Sequence, residues 1–323
     1  MARQHLNKLL EKYNTMNFWK NKKVLITGIQ GFVGSHLAQA LQKKGAIVWG
    51  ISRSVEKENV LKANIIDYSR IDEIIKEKHI AICFHLAAES IVESGQEDPY
   101  QTLKINILGT LNILESARKN KLEKVIIAST VHVYGDNPLP FKEEYTPRPT
   151  RPYETSKTCL DIIAQSYTET FHLPVLTSRF CNIYGPGDRN YNRLIPKTIK
   201  SVLNNKEPLM WGGRSLRDYL YIDDVISAYL KLAEIDVSIV GKNRIFNFGT
   251  GEHYTVEEVI KKIIRVAGKD TKIKKIQEER TNEIIKQYVS SRKAKKLLDW
   301  SSKIRLEEGL KKTVIWYRKY SDS

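Results

Sequence analysis

Tyr153 and Lys157, in the stretch RPYETSK, stand four residues apart. On a helix that spacing puts a phenol and an ammonium on one face. The cation stabilises the phenolate, so the pair can take a proton from an alcohol, or return it, as hydride leaves or rejoins the same carbon. A Tyr-x-x-x-Lys pattern by itself is common and carries little. A second pattern stands upstream: Gly28-Ile29-Gln30-Gly31-Phe32-Val33-Gly34 closes an apolar run and opens a helical one. Glycines at such a turn let backbone amides approach a pyrophosphate, which then rests at the positive end of the helix. The G-x-x-G-x-x-G spacing differs from the G-x-G-x-x-G of most simple dehydrogenases. With Thr130 at the end of the preceding strand and Asn106 in the intervening helix, the two patterns predict a dinucleotide-dependent redox centre.

The second strand of an NAD site usually ends in an acid that grips the adenosine ribose. This chain has Ile51-Ser52-Arg53-Ser54 there. A hydroxyl and a guanidinium stand in place of the carboxylate, and a guanidinium pairs with the 2′-phosphate of NADP. NADP is slightly favoured, with NAD kept open. Asp67, in NIIDYS, is expected at the end of the third strand, where its carboxylate would accept from the adenine amino group.

These residues need a frame, and the chain supplies one from Lys23 onward. Strands are expected over KKVLITG, AIVWGIS, AICFHLAA, KVIIAST and PVLTSRF. Helices are expected over GSHLAQALQKKG, IDEIIKEK, QTLKINILGTLNILESARKN and YETSKTCLDIIAQSYTETF. Such alternation predicts an α/β fold of Rossmann type, a doubly wound parallel sheet. After Gly185 the alternation weakens, and the remainder reads as a smaller, mostly helical C-terminal substrate domain. The expected layout has an N-terminal helical extension at 1–20 and a dinucleotide domain at 21–185 with a return segment near 218–250. The substrate domain takes 186–217 and 251–323.

Composition sets the outer bounds. With 323 residues, 41% apolar and 28% charged, the chain fits a soluble globular protein. No run approaches the ~20 continuous apolar residues of a membrane span, and residues 1–23 lack a secretory signal pattern. Three cysteines without metal-ligand spacing suit a reducing compartment, so a cytoplasmic protein without a metal is expected. The net charge of +16 raises nucleic acid as a partner. The basic residues are instead spread as short pairs along helical segments, often beside Glu, which predicts solvated faces and no nucleic-acid or membrane partner.

The stretches TGIQGFVGSHL, HLAAESIVES, NILGTLNILE, ASTVHVYG, RPYETSKTCLD, RFCNIYGPGD, RLIPK, LRDYLYIDDV and FNFGTG carry a resemblance that runs over about residues 22–255. The chain resembles the extended short-chain dehydrogenase/reductases of the nucleotide-sugar epimerase/dehydratase group. Its texture is most similar to the CDP-glucose and GDP-mannose 4,6-dehydratases. The resemblance implies a tightly held NAD(P) contacted by Leu86, Ala87, Ala88 and Ser129 besides the residues above. It implies a nucleotide-diphosphate sugar as substrate, oxidised at hexose C4 with Tyr153 as base and Thr130 hydrogen-bonding the 4-hydroxyl. Asn182, Arg193, Leu194, Lys197, Arg217 and Arg280 would hold that substrate, with Glu89 near the sugar. A homodimer through helices near 100–118 and 153–171 is also implied.

Related dehydratases keep two proton-carrying residues directly after the Thr. One takes the C5 proton and the other protonates the departing C6 hydroxyl. This chain has Val131 and His132 there. Valine moves no proton, whereas an imidazole can act as base and then as acid. Whole-chain texture puts a 4,6-dehydratase using His132 for both steps first. A 4-epimerase, which needs only Thr130, Tyr153 and Lys157, comes next, then an NADPH-dependent 4-ketoreductase. A non-enzymatic NAD(P)-sensing member of the fold is the remaining alternative, set against the presence of both Tyr153 and Lys157.

Overall fold

The computed structural model describes residues 18–90, 92–276 and 285–320. Residues 1–17 of the expected N-terminal helix lie outside the described residues, as does Arg280. Ten helices are described: α1 (Phe32–Lys43), α2 (Tyr68–Glu77), α3 (Val92–Glu97), α4 (Pro99–Lys119) and α5 (Pro152–Phe171), then α6 (Leu194–Leu203), α7 (Ile222–Glu234), α8 (Val256–Val266), α9 (Arg292–Leu298) and α10 (Leu306–Tyr320). The first six strands are β1 (Lys23–Thr27), β2 (Ile47–Ser52), β3 (Val60–Lys62), β4 (Ile82–His85), β5 (Lys124–Thr130) and β6 (Val175–Phe180). Four short strands follow, β7 (Asn182–Tyr184), β8 (Leu209–Trp211), β9 (Leu216–Arg217) and β10 (Tyr219–Tyr221), before β11 (Ile245–Phe248).

One seven-stranded sheet runs in the order β11-β6-β5-β4-β1-β2-β3. β1 pairs in parallel with both β2 and β4, so the strand order reverses beside β1. In open α/β sheets the crevice outside the carboxyl ends at such a reversal is where ligands bind. The strands are apolar on both sides because both faces are covered. Leu25, Cys83 and Val125 lie in register on one face, in a buried cluster with Ile71, Ile74, Ile113, Leu114 and Leu160. Their neighbours Ile26, Phe84 and Ile126 form the opposite row, where the Phe84 ring meets Trp19 and Tyr229. Trp19 is fully buried and its Nε1 donates to Glu234 Oε1 at 2.6 Å.

The chain separates into two compact units. The first comprises Met1–Ser129, Pro149–Ser178 and Tyr229–Ile245. The second comprises Thr130–Arg148, Arg179–Ala228 and Phe246–Ser323. In the second, β9 lies between antiparallel β12 (Tyr254–Thr255) and parallel β14 (Lys286–Gln287), while β8 pairs with β13 (Lys274–Ile276) and β10 with β7. α8 opens with a reciprocal cap in which Thr255 and Glu258 bond each other's backbone. The fully buried Asp218 accepts from the Thr250 and Gly251 amides and the Thr250 hydroxyl, tying the loop after β11 to the segment between β9 and β10. β3, β7, β8, β12, β13 and β14 are among the elements not expected from the sequence. Each has three residues or fewer, too short for a period-two pattern to register.

Candidate active site

In the first unit a cavity of about 320 Å³ is lined by Gly28, Gln30, Gly31, Ser52, Arg53, Ser54, Asn64, Ala87, Ala88 and Glu89, among others. Glycine is required in this turn by contact. A Cβ on Gly34 would lie 2.2 Å from the Gly28 carbonyl oxygen, and one on Gly28 would lie 3.0 Å from the Ala87 nitrogen at a φ of +73°. Phe32, Val33 and Gly34 form the first turn of α1. Gly31 caps that helix without a side-chain bond and the first turn holds no acid, so its amides are open to an anion. Ser52 donates to Gln30 at 2.6 Å and accepts from the amides of Ser54 and Val55. Its hydroxyl therefore braces the turn and leaves exposed Arg53 as the cation at the end of β2. Glu89 is the one acid among the residues lining this cavity. The bare cradle, the uncapped helix and the adjacent guanidinium together fit a dinucleotide phosphate group.

Asp67 sits elsewhere. It caps α2, its carboxylate accepting from the Arg70 amide at 3.1 Å, while Asn64 and Ile65 occupy the wall of the cavity. Behind the cradle, Thr27 Oγ1 lies 2.9 Å from His85 Nδ1 and accepts from the Leu86 and Ala87 amides. His85 Nε2 lies 3.1 Å from Thr110 Oγ1. Burial, with the Lys157 charge nearby, holds the imidazole down at about 3, so it is a neutral strut between β1, β4 and α4.

The Tyr153 and Lys157 pair belongs to the same unit. Tyr153 and Lys157 lie in the first two turns of α5, 9% and 5% exposed. Lys157 Nζ donates to the Ala128 carbonyl at 2.9 Å, which fixes the ammonium against β5. Burial lowers it to about 8, and the Asp161 carboxylate, one turn further on, opposes that shift. Asn106, 1% exposed, bonds the Glu89 backbone through both amide atoms and donates to Ser156 Oγ. Ser129 is buried in β5, and its hydroxyl has no protein partner.

β5 ends at Thr130, and Val131–Tyr134 make a single turn of tight helix. Thr130 Oγ1 accepts from the His132 amide at 3.3 Å, which leaves the hydroxyl proton to donate elsewhere. Val131 is 1% exposed and His132 is half-buried. Tyr134 anchors the turn: its hydroxyl donates to Asn247 Oδ1 at 2.8 Å and the Arg179 guanidinium lies 4.7 Å from its ring.

The second unit holds a cavity of about 270 Å³. Asn182, Arg193, Leu194, Lys197 and Arg217, all expected from the sequence at a substrate, line it together. Glu89, expected with them, lines the first cavity instead. Asp188, Trp211 and Tyr219 line the second cavity and were not singled out in the sequence. Lys197 Nζ lies 4.2 Å from the centre of the Trp211 ring. Arg217 Nη1 donates to the Leu216 carbonyl at 3.0 Å. Among the described residues no cluster of His, Cys, Asp and Glu could hold a metal, and no helix is long and apolar enough to cross a membrane.

The profile of the NAD dependent epimerase/dehydratase family matches residues 24–249, from β1 through the loop after β11. The chain belongs to that family. Among its relatives is a dTDP-D-glucose 4,6-dehydratase of Dictyostelium discoideum, 34% identical over 76% of this chain and 62% of that protein. A putative UDP-glucose 4-epimerase of Methanocaldococcus jannaschii is 32% identical over 91% of this chain and 98% of the other. Among solved structures, the UDP-glucose 4-epimerase of Thermotoga maritima with UDP-glucose superposes with a TM-score of 0.86 at 32% identity, covering 92% of this chain and 99% of that one. Membership of the epimerase/dehydratase family makes the protein a nucleotide-sugar enzyme, and relatives of both reaction types stand beside it. Trp211 closes β8 just before Gly212-Gly213, at the cavity wall.

Proposed function

We propose that the protein oxidises the C4 hydroxyl of a nucleotide-diphosphate hexose, and that the resulting 4-ketone is reduced again on its other face, making it a 4-epimerase. NAD(P) resting on Gly28, Gly31 and the first turn of α1 would supply the hydride acceptor and donor. Tyr153, beside the Lys157 ammonium, takes the proton of the C4 hydroxyl and later returns it. Thr130 donates to the C4 oxygen and orients it. Arg193, Lys197 and Arg217 hold the diphosphate, leaving the sugar free to turn between the two hydride steps.

The observation that carries this reading is Val131, packed into the turn after Thr130 at a position where related dehydratases keep one of two proton carriers. Epimerisation needs none there. Whole-chain relatives include 4-epimerases and 4,6-dehydratases alike. Sequence texture places dehydration first; we place it second, because His132 alone would have to serve both proton steps. Dehydration stays the alternative because His132 is half-buried at the turn that follows Thr130, and a relative is a 4,6-dehydratase. We also take the enzyme to be a homodimer through α4 and α5, which expose Tyr100, Leu108 and Ile162. Light scattering on a Leu108→Asp, Ile162→Asp double variant should then read a monomer; an unchanged mass counts against that face.

The test is product NMR in D₂O after incubation with UDP-, GDP-, CDP- and dTDP-hexoses. Inversion at C4 without deuterium uptake is the expected result. Deuterium at C5 together with loss of the C6 hydroxyl would establish dehydration instead.

A further inference from the structure

Three cations line the 270 Å³ cavity, and each is oriented by a different device. Arg217 is held by the carbonyls of Leu216 and Ile285. Lys197 lies over the Trp211 ring. Arg193 is held by Asp188, whose Oδ2 stands 3.3 Å from Arg193 Nη1. Asp188 is the one acid among the lining residues, and a buried carboxylate is out of place in a pocket for anions. Its side chain is 3% exposed against 40% for that of Arg193, so the acid is fixed and the guanidinium is the part that reaches the cavity. The loop around it is fixed as well. Asp188 Oδ1 accepts from the Asn190 amide at 3.1 Å, and the Tyr317 hydroxyl of α10 donates to the Asp188 carbonyl. Arg193 is also the residue that caps α6, its carbonyl accepting from the Lys197 amide at 3.1 Å.

We propose that Asp188 is a positioning residue that aims Arg193 at the substrate diphosphate, so that removing its negative charge weakens anion binding. The inference rests on the reading that this cavity takes a nucleoside diphosphate. Two opposed effects decide the sign. A carboxylate near a bound diphosphate repels it, so neutralising it should tighten binding if charge alone matters. An arginine, however, has many rotamers, and fixing it beforehand removes an ordering cost that binding would otherwise bear. A charge-assisted hydrogen bond also sets the orientation of the guanidinium fork. Positioning outweighs repulsion here because Asp188 is sunk behind Arg193 while its own backbone is pinned to α10.

Asp188→Asn is the informative variant, since the amide oxygen still accepts from the Asn190 amide and the shape is kept. Calorimetric titration with UDP, GDP, CDP, dTDP and inorganic pyrophosphate would compare wild type, D188N, R193Q and the double variant, with folding checked by thermal melts. D188N should bind the preferred diphosphate and pyrophosphate about tenfold more weakly. The double variant should lose no more than R193Q alone, because both act through one side chain. In turnover the loss should appear in KM, with kcat nearly unchanged, and D188E should recover part of it. Unchanged or tighter binding by D188N, for diphosphate or for pyrophosphate, overturns the proposal, as does an additive double variant. If wild type binds pyrophosphate and no nucleoside diphosphate, the substrate reading fails, while the pyrophosphate arm still decides the role of Asp188.

Discussion

Lys157 Nζ donates to the carbonyl oxygen of Ala128 at 2.9 Å, which ties α5 to β5 two residues before Thr130. The bond explains how a long, mobile side chain becomes a fixed charge beside Tyr153. It also makes that charge conditional on pH, because the ammonium is taken out of water.

Burial disfavours the charged lysine and brings its titration to about 8, while the Asp161 carboxylate favours the charged form. Above that pH the ammonium is lost, and with it the stabilisation of the phenolate. Turnover should therefore decline on the alkaline side near pH 8. In Asp161→Asn the favouring charge is gone, so this limb should move to lower pH by about half a unit or more. A kcat/KM profile whose alkaline limb is the same in both proteins contradicts the assignment.

His132→Gln separates the two reactions. The variant keeps a polar side chain and the backbone bond to Thr130. An epimerase should keep its activity within about threefold, whereas a dehydratase relying on this imidazole should lose about 10²–10⁴-fold. Initial rates on the preferred nucleotide sugar give the answer.

Gly34→Ala places a methyl group 2.2 Å from the Gly28 carbonyl oxygen, so the cradle must shift. Overpacking of this kind costs about 1–3 kcal/mol. The melting temperature should fall, and the dinucleotide content of purified protein should drop about tenfold. Retention of full cofactor content means that the turn does not hold the pyrophosphate.

Arg53 stands at the end of β2, with Ser52 already engaged by Gln30 and the turn backbone. Chromatography of the released cofactor tests the slight preference for NADP over NAD that Arg53 suggests in the sequence. Arg53→Ala should weaken NADP about tenfold, by loss of a charge-assisted phosphate contact, and leave NAD nearly unaffected. Equal weakening of both dinucleotides would show that Arg53 does not read the 2′-phosphate.

Much of the sheet was legible in the sequence because its strands are buried on both faces and read as continuous apolar runs between helices. The pair Tyr153 and Lys157 was legible too, since a helix converts spacing into adjacency. Asp67 shows the limit of such reading: its short side chain caps α2 locally, and that nearby bond outcompetes a distant ligand as a guide to its place. Asp188 and Trp211 were not legible. They reach the second cavity from a loop and a three-residue strand, where no periodicity announces what a side chain faces. His132 was read from the sequence as a proton carrier for dehydration, and it stands half-buried in the turn after Thr130.

The central claim is that hydride leaves and returns at C4 of the sugar. The most direct measurement is a single turnover of wild-type protein with its preferred nucleotide hexose carrying deuterium at C4, followed by the near-ultraviolet absorbance of reduced nicotinamide. A transient rise slowed by the C4 label, with the label found at C4 of the inverted product, is the predicted result. A product formed without that rise, or with the C4 deuterium lost to solvent, contradicts it.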